Sequence, residues 1–109
     1  MTTSTVKSIG VEDAARIVAA GSHTVFDVNS PQRYAQGHLP GAVNIEKDAV
    51  AASLPGDKQS PVLFYCGSST CQAAPTAAAF AESLGYTDVS VLGAGIAGWE
   101  EAGQETESA

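Results

Sequence analysis

The sequence is poor in positive charge: five Lys and Arg stand against twelve Asp and Glu, for a formal charge of −7. No basic cluster occurs along the chain, so nucleic-acid or anionic-membrane binding by bulk electrostatics is disfavoured. Any apolar run near the ~20 residues needed to cross a bilayer is also missing. The opening Met1-Thr2-Thr3-Ser4-Thr5-Val6-Lys7 lacks the apolar stretch of a secretory signal. A cytoplasmic protein with no nucleic-acid or membrane partner is the expectation. Cysteine is scarce, at two residues, Cys66 and Cys71. Without an export signal, such a pair points to thiols with chemistry or burial rather than to a disulfide framework. What is abundant is apolar: 44% of the 109 residues are hydrophobic and 16% charged. That suffices for one domain of roughly 13 Å radius of gyration, with a core that needs no staples.

Four short apolar runs rich in β-branched and aromatic residues read as buried strands: Thr24 to Val28, Ala42 to Ile45, Val62 to Cys66 and Val89 to Leu92. Lys7 to Ile9 is a candidate fifth strand at the edge. Helical patterns cover Val11 to Ala20, Pro31 to Gln36, Asp48 to Ala52 and the alanine-rich Gln72 to Leu84. Alternating strand and helix argue an α/β domain with a mainly parallel sheet. Gly21, Gly85 and Gly103 fall where left-handed caps end helices. The core is expected over residues 7–103, and 104–109, polar and acidic, as a frayed tail. With Thr70 as N-cap, Pro75 would be the fifth residue of its helix and make the first turn irregular.

Val62-Leu63-Phe64-Tyr65 is apolar throughout and delivers Cys66 at its carboxyl end, the edge where open α/β sheets bind ligands. Gly67-Ser68-Ser69-Thr70-Cys71-Gln72 follows, a run of small residues before a helix. Such a loop turns backbone amides inward and adds the positive end of a helix dipole, which favours a thiolate. The alternative is a buried structural cysteine.

Three blocks of this chain resemble the rhodanese-like family of single-domain sulfurtransferases. The first is Val25-Phe26-Asp27-Val28 leading to Gly37-His38-Leu39-Pro40-Gly41-Ala42. The second is Phe64-Tyr65-Cys66 with its loop and the helix ending Leu84-Gly85-Tyr86; the third is Val89 to Leu92 with Gly93-Ala94-Gly95-Ile96-Ala97-Gly98-Trp99. The resemblance covers about Ile9 to Gly103. It implies a five-stranded, mainly parallel sheet flanked by helices on both faces, and a catalytic cysteine in a cradle loop. The cysteine carries over to Cys66, and the substrate-binding loop to Gly67, Ser68, Ser69, Thr70 and Cys71. The implied reaction moves a sulfane sulfur from a donor such as thiosulfate or a persulfide, through a Cys66 persulfide, to a thiol or cyanide-like acceptor. No metal or organic cofactor is implied, and the partners are a small sulfur donor and a thiol or protein acceptor, with the chain a monomer.

Departures from the family pattern sit at the chemistry. The loop holds no Lys or Arg, and Cys71 stands where many members have arginine. Asn29 replaces the arginine of an aspartate-valine-arginine run, and Arg33 replaces a glutamate, so the ion pair implied by that arginine and glutamate is lost. Some relatives carry a second loop cysteine, and a thiol-disulfide redox protein using Cys66 and Cys71 is one alternative function. A non-catalytic binding module is another.

Other patterns carry less. Gly93 to Gly98 matches G-x-G-x-x-G, but the following strand and acidic residue have no room before Ala109, so it reads as a close-packing turn with Trp99 as an anchor. A zinc site from Cys66, Cys71, His23 and His38 lacks the usual histidine spacing. His38 is expected to make local backbone bonds and His23 to begin a strand. A cysteine phosphatase needs an arginine six positions after its cysteine, where this chain has Gln72. Asp27 reads as a turn or helix cap, with a supporting role behind the site as the alternative; Gln72 is a second supporting candidate.

Overall fold

The computed structural model describes residues 6–46 and 49–108. Five strands, β1 (Lys7–Ile9), β2 (Thr24–Asp27), β3 (Val43–Asn44), β4 (Val62–Tyr65) and β5 (Val89–Leu92), form one sheet in the order β1-β5-β4-β2-β3. Every pairing is parallel. β4 has no polar side chain other than the Tyr65 hydroxyl and is buried along its whole length, which puts it at the centre of the sheet.

Five helices, α1 (Val11–Ala20), α2 (Pro31–Gln36), α3 (Val50–Ser53), α4 (Ala73–Ser83) and α5 (Gly95–Glu101), complete the described domain. The period-two alternation of β4 feeds two cores. Val62, Phe64 and Cys66 join Phe26, Val91 and the alanines of α4 on one face, where Val50 of α3 also packs. Leu63 and Tyr65 face Ala14 of α1 and Ile96 and Trp99 of α5 on the other. Ala74, Ala77, Ala78 and Ala81 form the buried stripe of α4 at helical spacing, and their small size brings its backbone close to the sheet. The radius of gyration is 12.6 Å, as expected for one domain of this length.

The helix starts follow local chemistry. Ser30 caps α2 by accepting the Arg33 amide at 3.2 Å, and Pro31 occupies the position that needs no donor. Gly21 ends α1 at φ +65°, donating to the Ile17 and Val18 carbonyls. Gly85 and Gly103 also take positive φ after their helices.

Four expectations need correction. α4 begins at Ala73 with Gln72 as N-cap, not at Cys71 with Thr70 as N-cap, so Pro75 is its third residue, where an amide has no helical acceptor anyway, and no irregular turn results. The helix expected from Asp48 starts at Val50; Asp48 itself lies outside the described residues. α5 was legible only as the turn before a stop signal, because Gly95 and Gly98 lower its propensity. The expected frayed tail is tied down as far as Glu107, while Ala109 lies outside the described residues. Glu107 and His38 exchange backbone bonds of 2.8 and 2.9 Å, and the Trp99 indole donates to the Glu105 carbonyl at 2.7 Å. Exposed side chains hid this, because the bonds are made by backbone groups that composition does not report.

Candidate active site

Parallel pairing gathers the carboxyl ends of β2, β4 and β5 at one edge of the sheet. Cys66 follows β4 there, only 3% exposed, and opens the loop leading to α4. The turn after β5 presses against it. A Cβ on Gly95 would lie 2.6 Å from the Cys66 carbonyl oxygen and 2.7 Å from the Ser68 nitrogen, so glycine is required for this approach as well as for φ +65°. The Ile96 amide donates to the Cys66 carbonyl at 2.9 Å and the Ala97 amide to the Gly67 carbonyl at 3.0 Å. The glycine-rich stretch, Gly93 and Ala94 with the first turn of α5, thus packs closely against the loop and braces it.

Within the loop, the Cys71 amide donates to the Ser68 carbonyl at 3.1 Å, and the Ser68 and Thr70 hydroxyls share a hydrogen bond of 3.1 Å. The Ser68, Ser69, Thr70 and Gln72 amides donate to no acceptor in the described protein. Gln72 is the N-cap of α4 and makes no side-chain cap. Its amide and those of Ala73 and Ala74 have no acceptor within the helix, and Pro75 has no amide hydrogen to leave unpaired.

A cavity of about 290 Å³ opens beside the loop, lined by Cys66, Ser68, Ser69, Cys71 and Gln72 together with Ser8, Gly93 and the start of α4. Among the described residues no charged side chain lines it. Gly67 and Thr70 belong to the loop but not to the lining. Ser8 and Gly93 were not anticipated; Gly93 enters because β5 lies beside β4, and Ser8 because β1 lies beside β5, pairings that the order of elements along the chain leaves open.

The two cysteines are bonded to each other as a disulfide, with Cα atoms 6.3 Å apart. This corrects the expectation of free thiols. The separation falls inside the window of about 4.4–6.8 Å that a disulfide requires. Because α4 starts only at Ala73, closing the bond unwinds no helix.

Asp27 is fully buried but lines no part of the cavity. One carboxylate oxygen accepts the Asn29 amide at 2.8 Å, a turn closed by an aspartate, and the other accepts the Tyr65 hydroxyl at 2.6 Å. The same hydroxyl accepts the Leu39 amide at 3.0 Å. Burial, reinforced by this bond to Asp27, pushes the Tyr65 phenol far above its ordinary range. Asp27 reaches the loop through Asn29, whose side-chain oxygen would lie 3.4 Å from a Cβ on Gly67.

His38 is buried, stacked on Tyr34 with ring centroids 3.7 Å apart, and its Nδ1 bonds the Tyr34 carbonyl at 2.8 Å. His23 precedes β2 and so lies at the opposite end of the sheet from Cys66; burial lowers its pKa. The four residues weighed as zinc ligands are therefore not brought together.

The model of the rhodanese-like domain family matches residues 10–102, a span that includes the cysteine loop and the turn bracing it. The chain belongs to the rhodanese-like domain family. It is 32% identical over 96 residues to the thiosulfate sulfurtransferase GlpE of Pseudomonas entomophila, covering 85% of this chain and 84% of that enzyme. It is also 37% identical over 87 residues to the HTH-type transcriptional regulator Rv0324 of Mycobacterium tuberculosis. That match covers 77% of this chain but only 37% of the regulator. Among solved structures, human single-domain sulfurtransferase TSTD1 shares the fold with a TM-score of 0.75 at 22% identity, covering 86% of this chain and 95% of that one. Among the described residues no helix is long and apolar enough to cross a membrane.

Proposed function

We propose that this rhodanese-like chain is a sulfurtransferase in which Cys66 carries the sulfur and the loop Gly67, Ser68, Ser69, Thr70 and Cys71 holds the anion. The supporting observation is the position of Cys66, at the carboxyl end of the central strand, on a cavity whose lining includes Ser68, Ser69 and Gln72, residues with unbonded amides, and the amino end of α4. Those dipoles favour a thiolate over a thiol. In the reduced protein the Cys66 thiolate attacks the sulfane sulfur of a donor. A new S–S bond forms, the donor's S–S bond breaks, and its electron pair leaves with the remnant, which is sulfite when thiosulfate is the donor. An acceptor thiolate then takes the outer sulfur and Cys66 leaves as thiolate. The small donor, the thiol acceptor and a monomeric working state are parts of the same proposal.

The disulfide favours a second reading, a thiol-disulfide redox protein, because a bonded Cys66 is no nucleophile. One experiment separates the two. The protein is reduced, freed of reductant, exposed to thiosulfate or polysulfide, and mapped by mass spectrometry alongside Cys66→Ser. Sulfite release from thiosulfate, or sulfur found on the Cys66 peptide, supports transfer. Sulfur transfer by folded Cys66→Ser, or no reaction of the reduced wild type, refutes it.

A further inference from the structure

We propose that Cys71 is an internal resolving thiol, and that the chain releases the sulfur it takes up as hydrosulfide. This rests on the sulfurtransferase reading above for sulfur uptake by Cys66, and adds an internal route that discharges the persulfide when no acceptor thiol is bound. The observation behind it is the meeting of the two sulfurs: Cys66 and Cys71, five positions apart, are bonded across a Cα separation of 6.3 Å. The turn that holds Cys71, with its amide on the Ser68 carbonyl, lies wholly before α4. Reaching Cys66 therefore costs no secondary structure.

The cavity supplies the second argument. Its other polar lining side chains are Ser8, Ser68, Ser69 and Gln72, none of which accepts sulfur. Cys71 is the one further sulfur nucleophile in that lining, and it stands just before the positive end of α4, which favours its thiolate.

The step balances without an added oxidant. In the Cys66 persulfide, the Cys71 thiolate attacks the Cys66 Sγ, the atom it is bonded to in this structure. The Cys66–Cys71 bond forms and the bond from Cys66 Sγ to the outer sulfur breaks. That sulfur leaves with the electron pair as hydrosulfide, a better leaving group than a cysteine thiolate. The sulfane sulfur is reduced and the two cysteines are oxidised. An external dithiol then reduces the disulfide and restores both thiols. On this account the bonded state is an intermediate of turnover.

A single-turnover experiment tests it. Wild type, Cys71→Ser and Cys71→Ala are reduced, freed of reductant and loaded with thiosulfate, with sulfide trapped by an alkylating agent and peptides mapped. Wild type is expected to release one equivalent of hydrosulfide and to end with Cys66 bonded to Cys71. Both variants are expected to stop at the Cys66 persulfide, with sulfide release at least about a hundredfold slower, because an intramolecular thiol acts at a very high effective concentration. A wild-type persulfide that persists beside a free Cys71, or sulfur that ends on Cys71, overturns the inference while leaving sulfur uptake by Cys66 intact. Neither wild type nor variants gaining sulfur would overturn the transfer reading as well. Circular dichroism of the two variants checks that a loss is not one of folding.

Discussion

Replacing Gly95 by alanine tests whether the turn after β5 sets the position of the cysteine loop, and Gly21 provides an internal control. Both glycines have φ +65°, and a Cβ on Gly21 would meet nothing within 4 Å. Gly21→Ala therefore reports only the left-handed backbone penalty, about 1–2 kcal/mol. Gly95→Ala adds contacts of 2.6, 2.7 and 2.8 Å to the Cys66 oxygen, the Ser68 nitrogen and the Gly67 carbonyl carbon. All three are backbone atoms with no rotamer to move aside, and overpacking of this kind typically adds about 1–3 kcal/mol. At roughly 4–8 °C per kcal/mol for a small domain, Gly95→Ala should melt at least several degrees below Gly21→Ala. Relief of the clash must push the loop away and lengthen the bonds from the Ile96 and Ala97 amides to the Cys66 and Gly67 carbonyls. Sulfur uptake per folded molecule should accordingly fall in Gly95→Ala and stay at the wild-type level in Gly21→Ala. Thermal melts and single-turnover loading of the reduced proteins read both effects. Equal melting temperatures and equal loading in the two variants would refute the bracing role of the turn.

Tyr65→Phe removes a hydroxyl that serves both Asp27 and the Leu39 amide, and should cost about 1.5–3 kcal/mol in urea melts. The raised phenol also fixes a sign: above about pH 10 the unfolded chain loses a proton that the folded one keeps, so stability falls as pH rises. That alkaline decline should be shallower in Tyr65→Phe, and an identical decline in both proteins contradicts the assignment. Truncation after Gly103 strips partners from His38, Trp99 and the Gly41 amide, which donates to the Glu107 carboxylate at 2.9 Å. A loss of about 1–3 kcal/mol with a red-shifted tryptophan emission is expected, and an unchanged melt would mean that the tail contributes nothing. Cys71→Arg places a cation at a cavity that no charged side chain lines among the described residues, and should lower the apparent KM for thiosulfate roughly fivefold, the worth of about 1 kcal/mol; an unchanged KM means that loop charge is not limiting.

The strands were legible because burial on both faces leaves a plain mark: Val62 to Tyr65 and Val89 to Leu92 are runs that no exposed segment would carry. Lys7–Ile9, Val11–Ala20 and Pro31–Gln36 matched to the residue, the first helix because its apolar spacing and stop glycine agree, the second because Pro31 opens it behind a capping serine. Cys66 stood out by its place at the end of such a run. What remained hidden was long-range. Ser8 joins the cavity through the neighbouring positions of β1 and β5, and the tail is held by backbone bonds to His38 from a segment with exposed side chains. The pairing of the cysteines depended on where α4 starts, which Pro75 decides by fitting the first turn rather than the second.

The departures from the family pattern become connected once these contacts are known. Arg33, on α2, pairs with Glu100 on α5 at 3.0 Å, so a charge that cannot make the family's implied bond ties two helices on the Trp99 face instead. Asn29 keeps the β2 end in place through hydrogen bonds and packing that need no cation. Its amide is bound by Asp27, its carbonyl accepts the Asn44 side chain at 2.9 Å, and its own side chain lies against Gly67. The framework around the loop is thus held without the arginine, and among the described residues no cation lines the cavity. An anionic donor is then attracted by amides and a helix end alone, terms worth less than a direct guanidinium pair. The residue at position 71 gives up that charge and brings a thiol to the sulfur it would otherwise only have helped to bind. Weak donor binding and internal resolution follow from the same substitution, and Cys71→Arg should reverse both together.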